Sequence, residues 1–135
     1  MKIGILREGK VPIDRRVALT PEQASSLVQS YKCEVVVQPS SVRAIDDTEY
    51  TELGIPLQED LSDCDVLFGV KEVPIQQLIP SKSYFFFSHT YKKQLYNAKL
   101  LKACVDKKIR LIDYELLTKN GARVVPFVRF AGLVC

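Results

Sequence analysis

The sequence predicts an α/β fold with a mainly parallel, Rossmann- or flavodoxin-like sheet and helices on both faces, forming one domain over residues 1–135. Short apolar runs alternate along the chain with segments of helical periodicity, and this alternation is typical of parallel sheets. The runs are continuously apolar, as expected of strands that are buried on both faces. A length of 135 residues is enough for one domain with its own core.

Five apolar runs predict the strands of this sheet. They are rich in β-branched or aromatic residues, and the second ends at a proline, which cannot continue a buried strand. In chain order they are KIGIL (2–6), CEVVVQP (33–39), DVLFGVKE (65–72), SYFFFS (83–88) and IRLIDYE (109–115). After the fifth run, the dipeptide Asn120–Gly121 predicts a hairpin turn that leads into a further strand-like segment.

Three segments between these runs are predicted to be helical. The first begins at Thr20, which can form a capping box with Gln23 and is followed by a proline at the first helical position. The second is a short helix at 46–54 that ends at a glycine. The third covers 92–108, and its apolar side chains are expected to face the core: Leu100, Leu101, Cys104 and Val105.

Composition excludes several classes of function. A net charge of +3 is too small to predict nucleic-acid binding, although it suits a site that receives anions. No apolar run approaches the roughly 20 residues that cross a bilayer, so no membrane partner is expected. The four cysteines are widely spaced without a C-x-x-C, so neither a metal site nor a disulfide framework is predicted. Without a targeting pattern, we expect a cytoplasmic protein.

Unusual charged side chains follow the predicted strands, at the points where these strands end. Because the carboxyl ends of parallel strands meet at one edge of a sheet, we expect these side chains to be neighbours. They are Arg15 and Arg16 after the first strand, Lys71 at the end of the third, His89 and Lys92 after the fourth, and Glu115 at the end of the fifth. A structural explanation stays open for each: a solvated arginine, a lysine that extends to solvent, a histidine bonded to the backbone, or a structural ion pair.

The chemistry of these groups favours a site that transfers protons and binds carboxylates. His89 is the only histidine of the chain, and an imidazole exchanges protons near neutral pH. Lys71 ends an apolar strand, where a desolvated amine can act as a base. Arg16 can hold a carboxylate through two parallel hydrogen bonds. Lys92 begins a predicted helix, where a positive charge opposes the helix dipole, and this favours another role for it.

Two features suggest that a cofactor domain lies elsewhere. The glycines of GILREG do not form the G-x-G-x-x-G fingerprint, and no such motif occurs in the 135 residues. The final segment, VVPFVRFAGLVC, stops on an apolar stretch, whereas termini usually lie at the surface. We therefore expect the sequence to be part of a longer polypeptide.

Six segments together resemble one family. They are, in order, DRRVALTP, VVVQPSSVRAIDDTEY, LQEDLSDCDVLFGVKEVP, YFFFSHTYKKQ, IRLIDYELL and GARVVPFVRFAG. They are similar to the N-terminal domain of lysine-forming saccharopine dehydrogenase and of lysine-ketoglutarate reductase, within the alanine dehydrogenase and transhydrogenase superfamily. RVALTP is shared across that superfamily, whereas QPSSVRAI, SHTYK and LIDYELL resemble the saccharopine branch.

The resemblance implies an oxidoreductase that interconverts saccharopine with lysine and 2-oxoglutarate, using NAD or NADP. It implies Lys71 and His89 as the acid/base pair, and it implies as substrate-binding residues Arg16, Lys92, Glu115 and Arg123. Arg15 has no clear family role. The cofactor would be bound mainly by a C-terminal domain of the same polypeptide, absent from these 135 residues, with RFAG (129–132) leading towards it; its binding residues are unknown.

Without that domain, the chain alone is expected neither to bind nicotinamide tightly nor to turn over. Two alternatives stay open. One is an alanine dehydrogenase-like domain of an amino-acid dehydrogenase. The other is a non-catalytic module that binds an amino acid or a dicarboxylic acid.

Overall fold

Five parallel strands form the sheet of this protein, for which the computed structural model describes residues 1–125. The strands are Lys2–Ile5 (β1), Glu34–Val37 (β2), Val66–Phe68 (β3), Ser83–Phe86 (β4) and Arg110–Asp113 (β5). Their order is β2-β1-β3-β4-β5, and every neighbouring pair is parallel. This is the flavodoxin-like order, so the predicted α/β class is confirmed.

Helices cover both faces of the sheet, as predicted. They are Pro21–Tyr31 (α1), Asp47–Glu52 (α2) and Ala98–Asp106 (α3). On one face, α1 and α2 contribute Ala24 and Tyr50 to a core with Ile3 and Ile5 of β1. On the other face, α3 packs with the side chains that strands β3 and β4 direct there: Leu67, Tyr84 and Phe86. Among the described helices, none is both long and apolar enough to cross a membrane.

The predicted capping box at the start of α1 is confirmed. The Gln23 N–H donates to the Thr20 hydroxyl at 3.3 Å, and the Thr20 N–H donates to the Gln23 side-chain oxygen at 2.9 Å. A second box begins α2, where Asp46 and Glu49 exchange the same two bonds. Each box satisfies N–H groups that the first helical turn leaves without partners.

The third predicted helix, 92–108, is wrong in its first part. Lys93 has φ of +53°, a left-handed conformation that a right-handed helix cannot contain. Two 3₁₀ turns therefore precede α3, Thr90–Lys92 and Leu95–Asn97. Lys92 ends a 3₁₀ turn and does not begin an α-helix, so the helix-dipole argument for its special role does not apply.

The stripe of α3 that faces the core is narrower than predicted. Leu100 and Cys104 are buried, but Leu101 and Val105 are 48% and 68% exposed. Leu100 and Cys104 lie one turn apart on the same line of the helix, whereas Leu101 and Val105 are rotated from that line by about 100°. The expected inward orientation of Leu101 and Val105 is therefore wrong.

The predicted hairpin turn is confirmed at Asn120–Gly121. It joins the antiparallel strands Thr118–Lys119 (β6) and Ala122–Arg123 (β7). Asn120 and Gly121 have φ of +52° and +75°, as a type I′ turn requires. The apolar end of the chain, 126–135 with its RFAG segment, lies outside the described residues.

Candidate active site

A pocket of about 130 Å³ lies beyond the carboxyl ends of the strands. The loops after β1, β3, β4 and β5 and the β6–β7 hairpin each contribute to it. It is lined by Arg16, Lys71, Phe87, His89, Glu115, Arg123 and Val125. Five of the six site residues predicted from the sequence thus surround one cavity. The sixth, Lys92, does not line this pocket but contacts Glu115. The roles assigned to all six stay predictions.

The imidazole of His89 is paired with a carboxylate. Its Nδ1 lies 2.8 Å from Oε2 of Glu115. Burial raises the pKa of Glu115, but hydrogen bonds from His89 and Lys92 outweigh burial and leave that pKa below its ordinary range. An ionised carboxylate can only accept, so Nδ1 carries the proton of this bond. The ring atom that remains for proton exchange is then Nε2. Nδ1 therefore bonds to a side chain and not to the backbone, unlike in the structural alternative considered for this histidine.

Glu115 also contacts two further basic groups. Lys92 Nζ lies 3.3 Å and Arg123 Nη2 lies 3.7 Å from its Oε1. Lys92 Nζ is also 3.4 Å from His89 Nδ1, but two donors cannot share a bond, so the carboxylate is its partner. The Glu115 side chain is only 12% exposed. Because Glu115 contacts His89, Lys92 and Arg123, its carboxylate can hold these three basic side chains close to one another.

The backbone of His89 is held in an unusual conformation. Its φ is +54°, in the left-handed region, which costs a residue other than glycine on the order of 1–3 kcal/mol. The His89 N–H donates to Oδ2 of Asp113 at 2.8 Å, and its carbonyl accepts from Nδ2 of Asn97 at 3.0 Å. Both partners are buried. The backbone from which the imidazole projects is therefore held in place by these two hydrogen bonds.

Glu8 fixes the loop that carries Lys71. Its Oε1 accepts from the Val70 N–H and its Oε2 from the Lys71 N–H, both at 2.8 Å. Burial raises the pKa of Glu8, against the opposing effect of these two bonds. Lys71 itself is half-buried and lies three residues beyond the end of β3 at Phe68, so the predicted strand was too long.

Arg16 is oriented by Asp14. Its Nε donates to Oδ1 of Asp14 at 2.9 Å, and its Nη2 donates to Oδ2. These bonds from the guanidinium lower the pKa of Asp14 from 3.8 to about 2, against the opposing effect of burial. The paired geometry holds the guanidinium at the edge of the pocket.

The pairing of Asp14 predicts a particular pH dependence of stability. Because the pKa of Asp14 is lower in the folded state, its stabilisation is present above pH 4 and is lost as the pH falls towards 2. We expect Asp14→Asn to lower the free energy of unfolding at pH 7, with the difference from the unchanged chain shrinking between pH 4 and pH 2. Urea denaturation at pH 7, 4 and 3 measures this.

The matched control is Asp106→Asn. It removes an exposed carboxylate that pairs with Lys102 on the surface of α3, and exposed pairs contribute little. Its effect should be small at each pH. A difference between Asp14→Asn and the unchanged chain that stays constant from pH 7 to pH 3 would contradict the prediction.

Sequence reasoning missed three acidic residues of this region: Glu8, Asp14 and Asp113. A signal was present for Glu8, which follows the predicted first strand, so the strand-end rule that selected Glu115 applied to it. Asp113 lay inside the predicted fifth strand, 109–115, and only the structure ends that strand at Asp113. Asp14 gave no such signal, since it lies within a long polar loop.

The family model described as alanine dehydrogenase/PNT, N-terminal domain, matches residues 4–134 of this chain. The mitochondrial alpha-aminoadipic semialdehyde synthase of Bos taurus is 42% identical over 133 residues, which cover 97% of this chain and 14% of that protein. The NAD(+), L-lysine-forming saccharopine dehydrogenase of Emericella nidulans is 34% identical over an aligned length of 135, and the match covers 94% of this chain and 36% of that protein. The chain thus spans a minor part of these curated relatives.

Solved structures share the fold. An L-alanine dehydrogenase aligns with a TM-score of 0.72 at 18% identity, over 89% of this chain and 34% of that one. The transhydrogenase from Sinorhizobium meliloti aligns with a TM-score of 0.69 at 18% identity, over 88% and 35% of the two chains. The resemblance drawn from the sequence motifs is confirmed, and the relatives are oxidoreductases. The chain therefore belongs to the alanine dehydrogenase/PNT N-terminal domain family.

Proposed function

We propose that this chain is the substrate-side domain of a nicotinamide-dependent oxidoreductase that interconverts saccharopine with L-lysine and 2-oxoglutarate. The observation that carries the proposal is the convergence of Arg16, Lys71, Arg123 and the paired His89 and Glu115 on one pocket. The saccharopine dehydrogenase and the alpha-aminoadipic semialdehyde synthase among the relatives support the substrate class.

The charge of the pocket suits a ligand with several carboxylates. Three cationic side chains line it, from Arg16, Lys71 and Arg123, and Glu115 supplies the carboxylate of the lining. Arg16 is in addition paired with Asp14, which lies outside the lining. The carboxylate of Glu115 is already engaged by His89 and by basic neighbours. Saccharopine has three carboxylates and a secondary amine, and guanidinium and ammonium groups are the appropriate partners for carboxylates.

The reaction requires proton transfers that this domain is equipped to make. In the oxidative direction, the secondary ammonium first loses a proton to give an amine, and loss of a hydride from the adjacent carbon then gives the imine. Water adds to the imine, and the carbinolamine collapses to lysine and 2-oxoglutarate. A bound nicotinamide supplies the hydride acceptor. Lys71 and His89 serve as the two proton-transferring groups, with Nε2 as the reactive ring atom since Nδ1 faces Glu115.

The size of the pocket supports a role for a second domain. Pockets for small ligands usually have volumes of roughly 300–1,000 Å³, whereas this one has about 130 Å³. It can hold one end of the substrate, and a C-terminal cofactor domain would enclose the rest. The greater length of the relatives agrees with this. The choice between NAD and NADP would be made by that domain.

The proposal is tested by ligand titration of the chain and by turnover of the polypeptide in which this domain is joined to a nicotinamide-binding domain. Calorimetry should detect binding of saccharopine or 2-oxoglutarate in preference to alanine and pyruvate. The joined polypeptide should oxidise saccharopine. Preference for alanine in both assays would favour the alanine dehydrogenase-like alternative, and binding without turnover would favour the non-catalytic module.

Replacing Arg16 should chiefly weaken substrate binding. We expect Arg16→Ala to raise the substrate KM about 10- to 100-fold, the equivalent of a lost charged hydrogen bond of about 1.5–3 kcal/mol, with a smaller effect on kcat. The matched control is Arg15→Ala, because Arg15 is exposed and lies outside the lining of this pocket. An unchanged KM in Arg16→Ala would remove this residue from the site.

A further inference from the structure

The geometry points to Asp113 as a positioning residue, whose buried carboxylate holds His89 and Glu115 in place relative to each other. Asp113 ends β5 and is only 6% exposed. It lies two residues before Glu115 and beside the loop that follows β4. It does not line the pocket, so any effect it has on the site acts through its neighbours.

The two oxygens of this carboxylate serve different segments. Oδ2 accepts from the His89 N–H at 2.8 Å, from the Ser88 N–H at 3.2 Å and from the Ser88 hydroxyl at 2.7 Å. Oδ1 accepts from the Glu115 N–H at 2.9 Å. One rigid group thus connects the end of β4 with the end of β5, at the two residues whose side chains pair.

These hydrogen bonds fix the backbone positions from which the side chains of His89 and Glu115 project. The His89 peptide is fixed at its N–H by Asp113 and at its carbonyl by Asn97, which is 2% exposed. The left-handed φ of His89 therefore persists, and it sets the direction of the imidazole. Glu115 is fixed by the other oxygen of the same carboxylate. The 2.8 Å contact between Nδ1 and Oε2 follows from both constraints.

An isosteric amide cannot reproduce this arrangement. Asparagine has one oxygen and one NH₂ group where aspartate has two oxygens. In either orientation the NH₂ group would face a backbone N–H, that of Glu115 or those of Ser88 and His89. Asp113→Asn should therefore displace one member of the pair and disrupt the bond between Nδ1 and Oε2.

The single histidine makes this measurable in the chain itself. Ring ¹⁵N shifts at pH 9, above the ordinary titration range of imidazole, should show the proton on Nδ1 in the unchanged protein. We expect Asp113→Asn to lose this signature and to match Glu115→Ala, which removes the partner directly. The double variant should show no further change, because both substitutions disrupt the same bond.

Asp46→Asn is the matched control. It also replaces a carboxylate that accepts from a backbone N–H two residues on, but at the start of α2. It should leave the ring signals of His89 unchanged. A folded Asp113→Asn variant with the ring signature of the unchanged protein would overturn the inference.

If Asp113→Asn does not fold, a measurement on the unchanged protein still tests the inference. Couplings across hydrogen bonds should then connect the amide nitrogens of His89 and Glu115 to the carboxyl carbon of Asp113, and their absence would overturn the inference.

The catalytic consequence rests on the proposed function and can fail separately. In the joined polypeptide, Asp113→Asn should lower kcat about 100-fold, as expected when a reacting group is misplaced by about 1 Å, with little effect on KM. A lost ring signature with normal turnover would leave the positioning role intact and would count against His89 as a proton-transferring group.

Discussion

Replacing His89 with glutamine is expected to lower kcat about 10²–10⁴-fold, the usual contribution of a positioned acid or base. Glutamine retains a polar side chain of similar reach but cannot exchange a proton. The KM should change little, because Arg16, Lys71 and Arg123 still present their positive charges to the pocket. Steady-state kinetics of the joined polypeptide with saccharopine, in comparison with the unchanged enzyme, measures both quantities.

The control for this prediction is Lys93→Gln. Lys93 is exposed, lies four residues from His89 and is not among the residues that line the pocket. The kcat of Lys93→Gln should equal that of the unchanged enzyme. A kcat of His89→Gln within about twofold of the control would show that His89 does not transfer protons in the limiting step.

Replacing Lys71 with methionine is expected to have an effect of similar size on kcat, about 10²–10⁴-fold. Methionine retains an unbranched apolar stem, so the half-buried position keeps most of its packing while the amine is lost. The Glu8 carboxylate still holds the backbone of this loop through the N–H groups of Val70 and Lys71, which the substitution does not alter. A fall in kcat would therefore report the loss of the amine and not a change in the loop.

A double variant sharpens this prediction. If Lys71 and His89 act in one sequence of proton transfers, Lys71→Met combined with His89→Gln should be little slower than the slower single variant. Lys99→Met, on the exposed surface of α3, serves as the control and should leave kcat unchanged. Near-normal turnover in both single variants would refute the assignment of the acid/base pair.

The sequence predicted which charged side chains lie together better than it predicted the local backbone. A parallel sheet brings strand ends to one edge, so Arg16, Lys71, His89 and Glu115 could be grouped without knowing which strands are neighbours. The strand order itself could not be derived, because pairing between distant segments leaves no local signal. The type I′ turn at Asn120–Gly121 was predictable because its two residues suit a positive φ.

Two features that were missed involve residues other than glycine in left-handed backbone conformations. Lys93 follows a 3₁₀ turn and has φ of +53°, and nothing in its side chain predicts this, so the predicted helix begins too early. His89 has φ of +54° because buried neighbours hold its peptide group. Such a conformation is imposed by tertiary contacts, and one of those contacts, from Asp113, was therefore not recognised from the sequence either.

The pocket residues lie outside the strands of the five-stranded parallel sheet, and Arg123 belongs to the separate β6–β7 hairpin. Lys71 and His89 each come three residues after the last residue of a strand, and Arg16 lies in the long loop after β1. Substitutions in these loops can change the ligand that is bound without breaking a ladder bond between strands. The sheet and the lining of the pocket can therefore change independently of each other.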